Sequence, residues 1–198
     1  MARQFKWFKL IGFTLIGILI VGILIIKIFS PYKKHLAQQY KSISNTIKIN
    51  VPIDSAFAFM GNSQMAARWS VYINHITVLN VSEAKDGEPG CKRRCFYNAN
   101  ERGIRWDETI LEVILNKKRQ LSIYNMQGFP MMANNLVTEQ FFEKIDETHC
   151  RLTLSVFFKD KEPGFIETFK TELASFRILQ IFKGNMSNIK HILETNPK

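Results

Sequence analysis

Three acidic residues, Asp107, Glu108 and Glu112, fall within the alternating stretch IRWDETILEV at positions 104–113. A carboxyl group carried into an apolar cavity is pushed toward its protonated form, so it can work as a general acid or base near neutral pH. Successive strand side chains point to opposite faces, which puts Glu108 and Glu112 on the face of Trp106 and Asp107 on the other. If that face lines a cavity, Glu108 with Tyr124 or Trp106 could drive a cyclisation or dehydration. The heavier reading is that Glu108 pairs at the surface with Arg93, Arg105 or Arg119. Other chemistry finds little foothold. His35, His75, His149 and His191 are scattered, with no i, i+4 pair of the kind a helical zinc site uses. Cys91 and Cys95 lie in CKRRC, which lacks the common CxxC spacing; on one strand they would stand roughly 13 Å apart, too far to bridge. With Cys150 they read as buried free thiols. There is no glycine-rich phosphate loop and no nucleophile elbow. No metal and no cofactor is expected, and the chain leans toward a binding protein over an enzyme.

The elements that would position these residues are legible from periodicity. SNTIKINV (44–51) alternates as a half-buried strand and is interrupted by Pro52. Asp54 or Ser55 can cap a short helix bearing Phe57, Phe59 and Met60, and Asn62 opens a second one through Trp69. Six period-two segments follow, at 75–83, 91–98, 104–113, 120–127, 135–145 and 150–158, separated by turn-forming stretches such as KDGEPG and NANERG. Seven strands in this order predict one strongly curved antiparallel sheet. After Pro163 and Gly164, Phe165, Phe169, Leu173, Phe176, Met186, Ile189 and Leu193 form a stripe of helical period over some thirty residues. Gly184 costs that helix about 1 kcal/mol relative to alanine, so a bend or break is expected there. A curved sheet with one apolar face can bury it only against another element, and the long helix is the candidate.

The amino-terminal region is different in kind. Leu10 to Ile26, LIGFTLIGILIVGILII, carries no charge and is closed by Lys9 and Lys27. At about 1.5 Å per residue it covers roughly 25 Å of a hydrocarbon core about 30 Å thick, and flanking residues with snorkelling lysines complete the span. It is apolar on every face, unlike the surface helix of a globular protein. A cleaved signal sequence would have a shorter run, about 7 to 15 residues, and a small-x-small exit, whereas this one leaves through KIFSPYKK. Gly12, Gly17 and Gly22 recur every five residues, so they do not stack into a small-xxx-small seam. The expected organisation is a basic tail (1–9), a transmembrane helix (10–29), a polar juxtamembrane stalk (30–44) and one soluble domain (45–194). Basic residues are nearly balanced across the span, so its orientation stays open. The short basic tail leans slightly to a non-cytoplasmic domain, and the odd number of cysteines leans the other way.

Charge points in the same direction. The chain has a formal charge of +10, but seven of its 27 Lys and Arg and none of its 17 acidic residues lie in the first 44 positions. The soluble part is nearly neutral, which argues against nucleic acid. The excess lies beside the span, where each basic residue near anionic lipid contributes about 1 kcal/mol.

Several local marks carry a family resemblance. TIKINVPIDSAFAFM (46–60), the tryptophan of ARWS (67–70), Gly90 ahead of CKRRC, and WDETILEV (106–113) resemble the START-like, or SRPBCC, helix-grip superfamily. That superfamily includes polyketide cyclase/dehydrase and lipid-transfer members. The resemblance spans residues 45–194 and rests on structural rather than catalytic marks. It implies an α+β fold, with the seven-stranded sheet curved around the C-terminal helix and a deep cavity between them for lipids, sterols, aromatic polyketides or other apolar ligands. Sixteen Phe, three Trp and seven Met supply adaptable wall material, although for any single aromatic a place in a solid core is the heavier reading. The candidate wall residues are Trp69, Tyr72, Trp106, Tyr124, Met126, Phe129 and Phe176. The expected partners are a hydrophobic small molecule and, through the amino-terminal helix, membrane lipids.

Overall fold

This computed structural model describes residues 2–34, 40–129, 133, 135–159 and 164–195, with side chains described from residue 12 onward. His35, the turn at 130–132 and Pro163 lie outside the described residues. In chain order the elements are α1 (Ala2–Phe29), β1 (Lys33–Lys34), β2 (Lys41–Ile49), α2 (Ile53–Gly61), a 3-10 turn (Ser63–Met65), α3 (Ala66–Trp69), β3 (His75–Val78), β4 (Lys92–Phe96), β5 (Arg105–Ile114), β6 (Lys118–Gln127), β7 (Leu136–Lys144), β8 (Cys150–Phe158) and α4 (Phe165–Thr195). The strands form one antiparallel, open sheet of eight in the order β1-β2-β8-β7-β6-β5-β4-β3. The seven expected strands are β2 to β8; the eighth is the two-residue β1, too short to leave a periodic trace in the sequence.

Register is fixed by matching side chains across each ladder. Arg93 lies opposite Glu108 and Arg94 opposite Asp107, so adjacent ladder positions put one ion pair on each face of the sheet. A slip by one residue would break both. On the inner face, Ile49, Phe142, Cys150, Leu152 and Leu154 meet Met186, Ile189 and Leu193 of α4, with Phe57 and Met60 of α2 closing the end. This core occupies the space under the C-terminal half of α4.

Two elements depart from expectation. Helix α4 is continuous through Gly184, because there the missing side chain serves packing: a Cβ would lie 3.0 Å from Cγ1 of Val71. Helix α2 starts at Ile53 after Pro52, with no side-chain cap; the Asp54 Oδ1 accepts from the Ser55 amide instead. Asn62 does open the next turn, its side chain accepting from the Gln64 amide at 3.0 Å.

The segment expected as a stalk is part of the domain where it is described. Ser30 is 1% and Tyr32 7% exposed. The Ser30 hydroxyl lies 3.1 Å from that of Ser175, and Tyr32 joins Ile43 and Val156 in a second apolar cluster against Ile178 and Leu179. Ahead of it, Gly12–Phe29 is long and apolar enough to cross a membrane, with mean hydropathy 2.6 and no part of it buried. A signal sequence would pass the same test.

Candidate functional site

Under the N-terminal half of α4 the sheet and helix separate, leaving a cavity of about 410 Å³. The helix presents Leu173, Ala174, Arg177, Ile178 and Ile181 to it; the sheet presents Arg93, Trp106, Glu108, Leu121, Ile123, Met126 and Thr138; Met60, Trp69, Tyr72 and Ile73 close the side. The helical residues recur at three- and four-residue steps, which is one face. The strand residues recur by two, and they pair across the ladders as Glu108 with Ile123 and Leu121 with Thr138.

Two bulges set the phase of this wall. At the β5–β6 ladder the register shifts between Arg105 and Asp107, leaving an extra residue in β6 near Asn125, which has φ of 49°. The extra residue restores Met126 to the cavity face after Leu121 and Ile123. The second shift, between Ile110 and Glu112, turns Glu112 away from the Trp106 face predicted for it; it pairs with Lys118 at 2.7 Å.

Of the expected wall residues, Trp69, Tyr72, Trp106, Met126 and Phe129 line the cavity. Tyr72, Trp106 and Phe129 form a ring cluster with centroids 5.8 to 6.2 Å apart, and Tyr97 joins it 4.9 Å from Tyr72. Burial raises the Tyr72 hydroxyl above its ordinary value, helped by Tyr97 and opposed by Arg177. Tyr124 and Phe176 are not in the wall. Tyr124 pairs with Asp107, on the outer face, where its hydroxyl accepts from Thr109 at 3.2 Å. Phe176 lies off the cavity face of α4 and is 40% exposed.

Glu108 is both in the cavity wall and paired. Its Oε2 accepts from Nη2 of Arg93 at 2.7 Å and its Oε1 from the Trp106 indole at 2.9 Å. Of the three arginines named as partners it is Arg93, and the pair is buried in the wall and not at the surface: Arg93 and Glu108 are each 7% exposed. Burial, the largest single influence, works to lower the Arg93 guanidinium, but Glu108 together with Cys95 and Asp86 leaves the group above its ordinary value. Beside it, burial and then Glu108 push the Cys95 thiol well up. Behind the wall Arg119 sits over the Phe57 ring at 4.2 Å and donates to Gln140 at 3.2 Å; burial, then Arg93, lower it to about 10. Three cavity-lining residues carry a buried donor with no acceptor among the described residues: the Trp69 indole, Nε of Arg93 and the Ser155 hydroxyl.

The three cysteines are free and buried, and among the described residues no group of three or more His, Cys, Asp and Glu is arranged to hold a metal. Reasoning from sequence missed Tyr32, Arg93 and Arg177 as wall residues. Arg93 could have been found by pairing CKRRC against WDETILEV in antiparallel register.

No protein-family model matches the chain, and no curated protein matches it. Solved structures do. A protein from Thermobifida fusca is 17% identical with a TM-score of 0.58, covering 75% of this chain and 90% of its own. Ara h 8.0201 is 13% identical with a TM-score of 0.56, covering 78% and 98%. DynU16, a protein of the dynemicin biosynthetic locus, is 11% identical with a TM-score of 0.54, covering 78% of this chain and 47% of its own. At these identities the likeness establishes the fold: an α+β helix-grip domain, here behind one apolar N-terminal helix.

Proposed function

We propose that this protein is a membrane-anchored binding domain that holds one hydrophobic small molecule, a lipid, amphiphile or aromatic compound, between its sheet and α4. The observation that carries the reading is the cavity itself: about 410 Å³, within the range of small-molecule sites, with a mostly apolar wall and a few convergent polar groups. The apolar Gly12–Phe29 helix supports the anchor, and a bilayer concentrates ligands of this kind. The test is to purify the full chain from membranes in mild detergent and extract it with organic solvent. Near-stoichiometric recovery of one apolar compound class by mass spectrometry supports the reading, and a bare protein that also takes up no fluorescent fatty acid contradicts it.

The second reading is a cyclase or dehydratase using Glu108, favoured by the burial of that carboxylate in the cavity wall. Both of its oxygens already accept hydrogen bonds, one of them from a guanidinium, so a proton transfer would have to displace one. That commitment is the reason we place binding ahead of catalysis.

A further inference from the structure

The anchor is not hung on a loose tether. Ser30, immediately after α1, is buried against α4; its hydroxyl reaches the Ser175 hydroxyl at 3.1 Å and the Glu172 carbonyl at 3.5 Å, and accepts from the Tyr32 amide at 3.2 Å. Two residues on, Tyr32 lines the cavity. The direction of α1 therefore fixes the direction of the domain.

That fixed direction gives a depth to α4. The apolar stretch runs to Phe29, with Ile28 64% and Phe29 68% exposed, so Lys27 marks the level where hydrocarbon gives way to headgroups, its amine reaching toward them. Nζ of Lys27 lies 5.2 Å from the centre of the Phe165 ring. Phe165, the first residue of α4, is thus at the membrane boundary. It is 71% exposed and its neighbour Ile166 is 67% exposed, a large apolar pair for which the described part of the protein offers no cover. Lys27, Lys33, Lys34 and Lys41 are exposed around the same exit, the charge that anionic headgroups attract. The cavity wall begins within the first turn of α4, at Glu167, and continues through Lys170 and Leu173.

We propose that the N-terminal turn of α4 is a second membrane contact, in which Phe165 and Ile166 enter the lipid interface beside the anchor and seat the cavity mouth at the headgroup layer. This rests on the reading of α1 as a membrane span. The test uses the full chain in phosphatidylcholine and phosphatidylglycerol vesicles, with one environment-sensitive fluorophore placed by Leu19→Cys, Ile166→Cys, Leu173→Cys or Val81→Cys; the native cysteines are buried. Quenching is by lipids with a nitroxide on the upper acyl chain or on the headgroup, and by aqueous iodide. The probe at 166 is expected to lose most of its fluorescence to the acyl nitroxide, that at 173 to the headgroup nitroxide, and that at 81 only to iodide. A probe at 166 quenched by iodide like that at 81, while the one at 19 is quenched by lipid, overturns the second contact. If the probe at 19 also escapes lipid quenching, the span itself is refuted and this inference falls with it.

Discussion

Glu108 shows what a single residue decides here. Removing it strands Arg93 in the cavity wall with no carboxylate partner among the described residues, and loss of one member of a buried pair costs about 3–5 kcal/mol. Glu108→Ala is therefore expected to lower the denaturation free energy of the detergent-solubilised chain by about 3 kcal/mol. The double replacement Arg93→Met with Glu108→Leu should recover most of that loss, because it removes both desolvated charges; equal losses in single and double variants would refute the pairing. The thiols make a second prediction. Burial raises Cys150 to about 11 and lifts Cys91 and Cys95 as well. In the unfolded chain these thiols ionise near 9, so the folded state holds the protons more tightly above that pH. Their contribution is whole below about pH 9 and is lost as pH rises toward 11. Urea midpoints measured from pH 8 to 11 should fall, and less steeply in Cys150→Ala. At this scale the sequence was half legible. The partner of Glu108 was among three named arginines and the thiols read correctly as free and buried, but whether an ion pair is buried depends on the helix above it, which no local pattern records.

At the scale of elements, alternation and turn chemistry located β2 to β8 and α4 within a few residues, because a strand with one buried face must alternate and a helix against a sheet must carry one stripe. Bulges are invisible to that logic. One extra residue near Asn125 and another near Leu111 shift the phase, which is why Met126 falls in the wall while Tyr124 and Glu112 do not. Since Asn125 has φ of 49°, Asn125→Val should cost about 1–3 kcal/mol while Asn125→Gly is tolerated; thermal unfolding of the two variants checks it. The stalk was misread for a related reason. Serine, proline, tyrosine and lysines look like a polar linker, yet Ser30 and Tyr32 are held by residues more than 100 positions away. The hydroxyls of Ser30 and Ser175 are close enough that Ser30→Cys with Ser175→Cys should form a disulfide on mild oxidation. Free thiols at both positions after oxidation, by mass spectrometry of peptides, would show that the end of α1 is not docked on α4.

For the whole molecule, the same sheet and helix do two jobs along their length: Met186, Ile189 and Leu193 close the space into a core, while Ala174, Ile178 and Ile181 leave it open. The abundance of Phe and Met was read mainly as core, with a few wall residues chosen by their elements, and it is both; the choice is made by where α4 stands off the sheet, a property of the assembled fold. The net charge beside the apolar helix and the near-neutral remainder were legible directly, since they need only counting. The claim on which the functional account depends is that the open half takes a ligand. The most direct measurement is titration of the full chain with a fluorescent fatty acid, beside Ala174→Trp, which fills the cavity, and Phe176→Trp, which adds the same ring off the cavity face. Saturable one-to-one binding by the wild type and Phe176→Trp, lost in a folded Ala174→Trp, is the predicted result. Binding unchanged in Ala174→Trp, or absent from all three, would contradict the account.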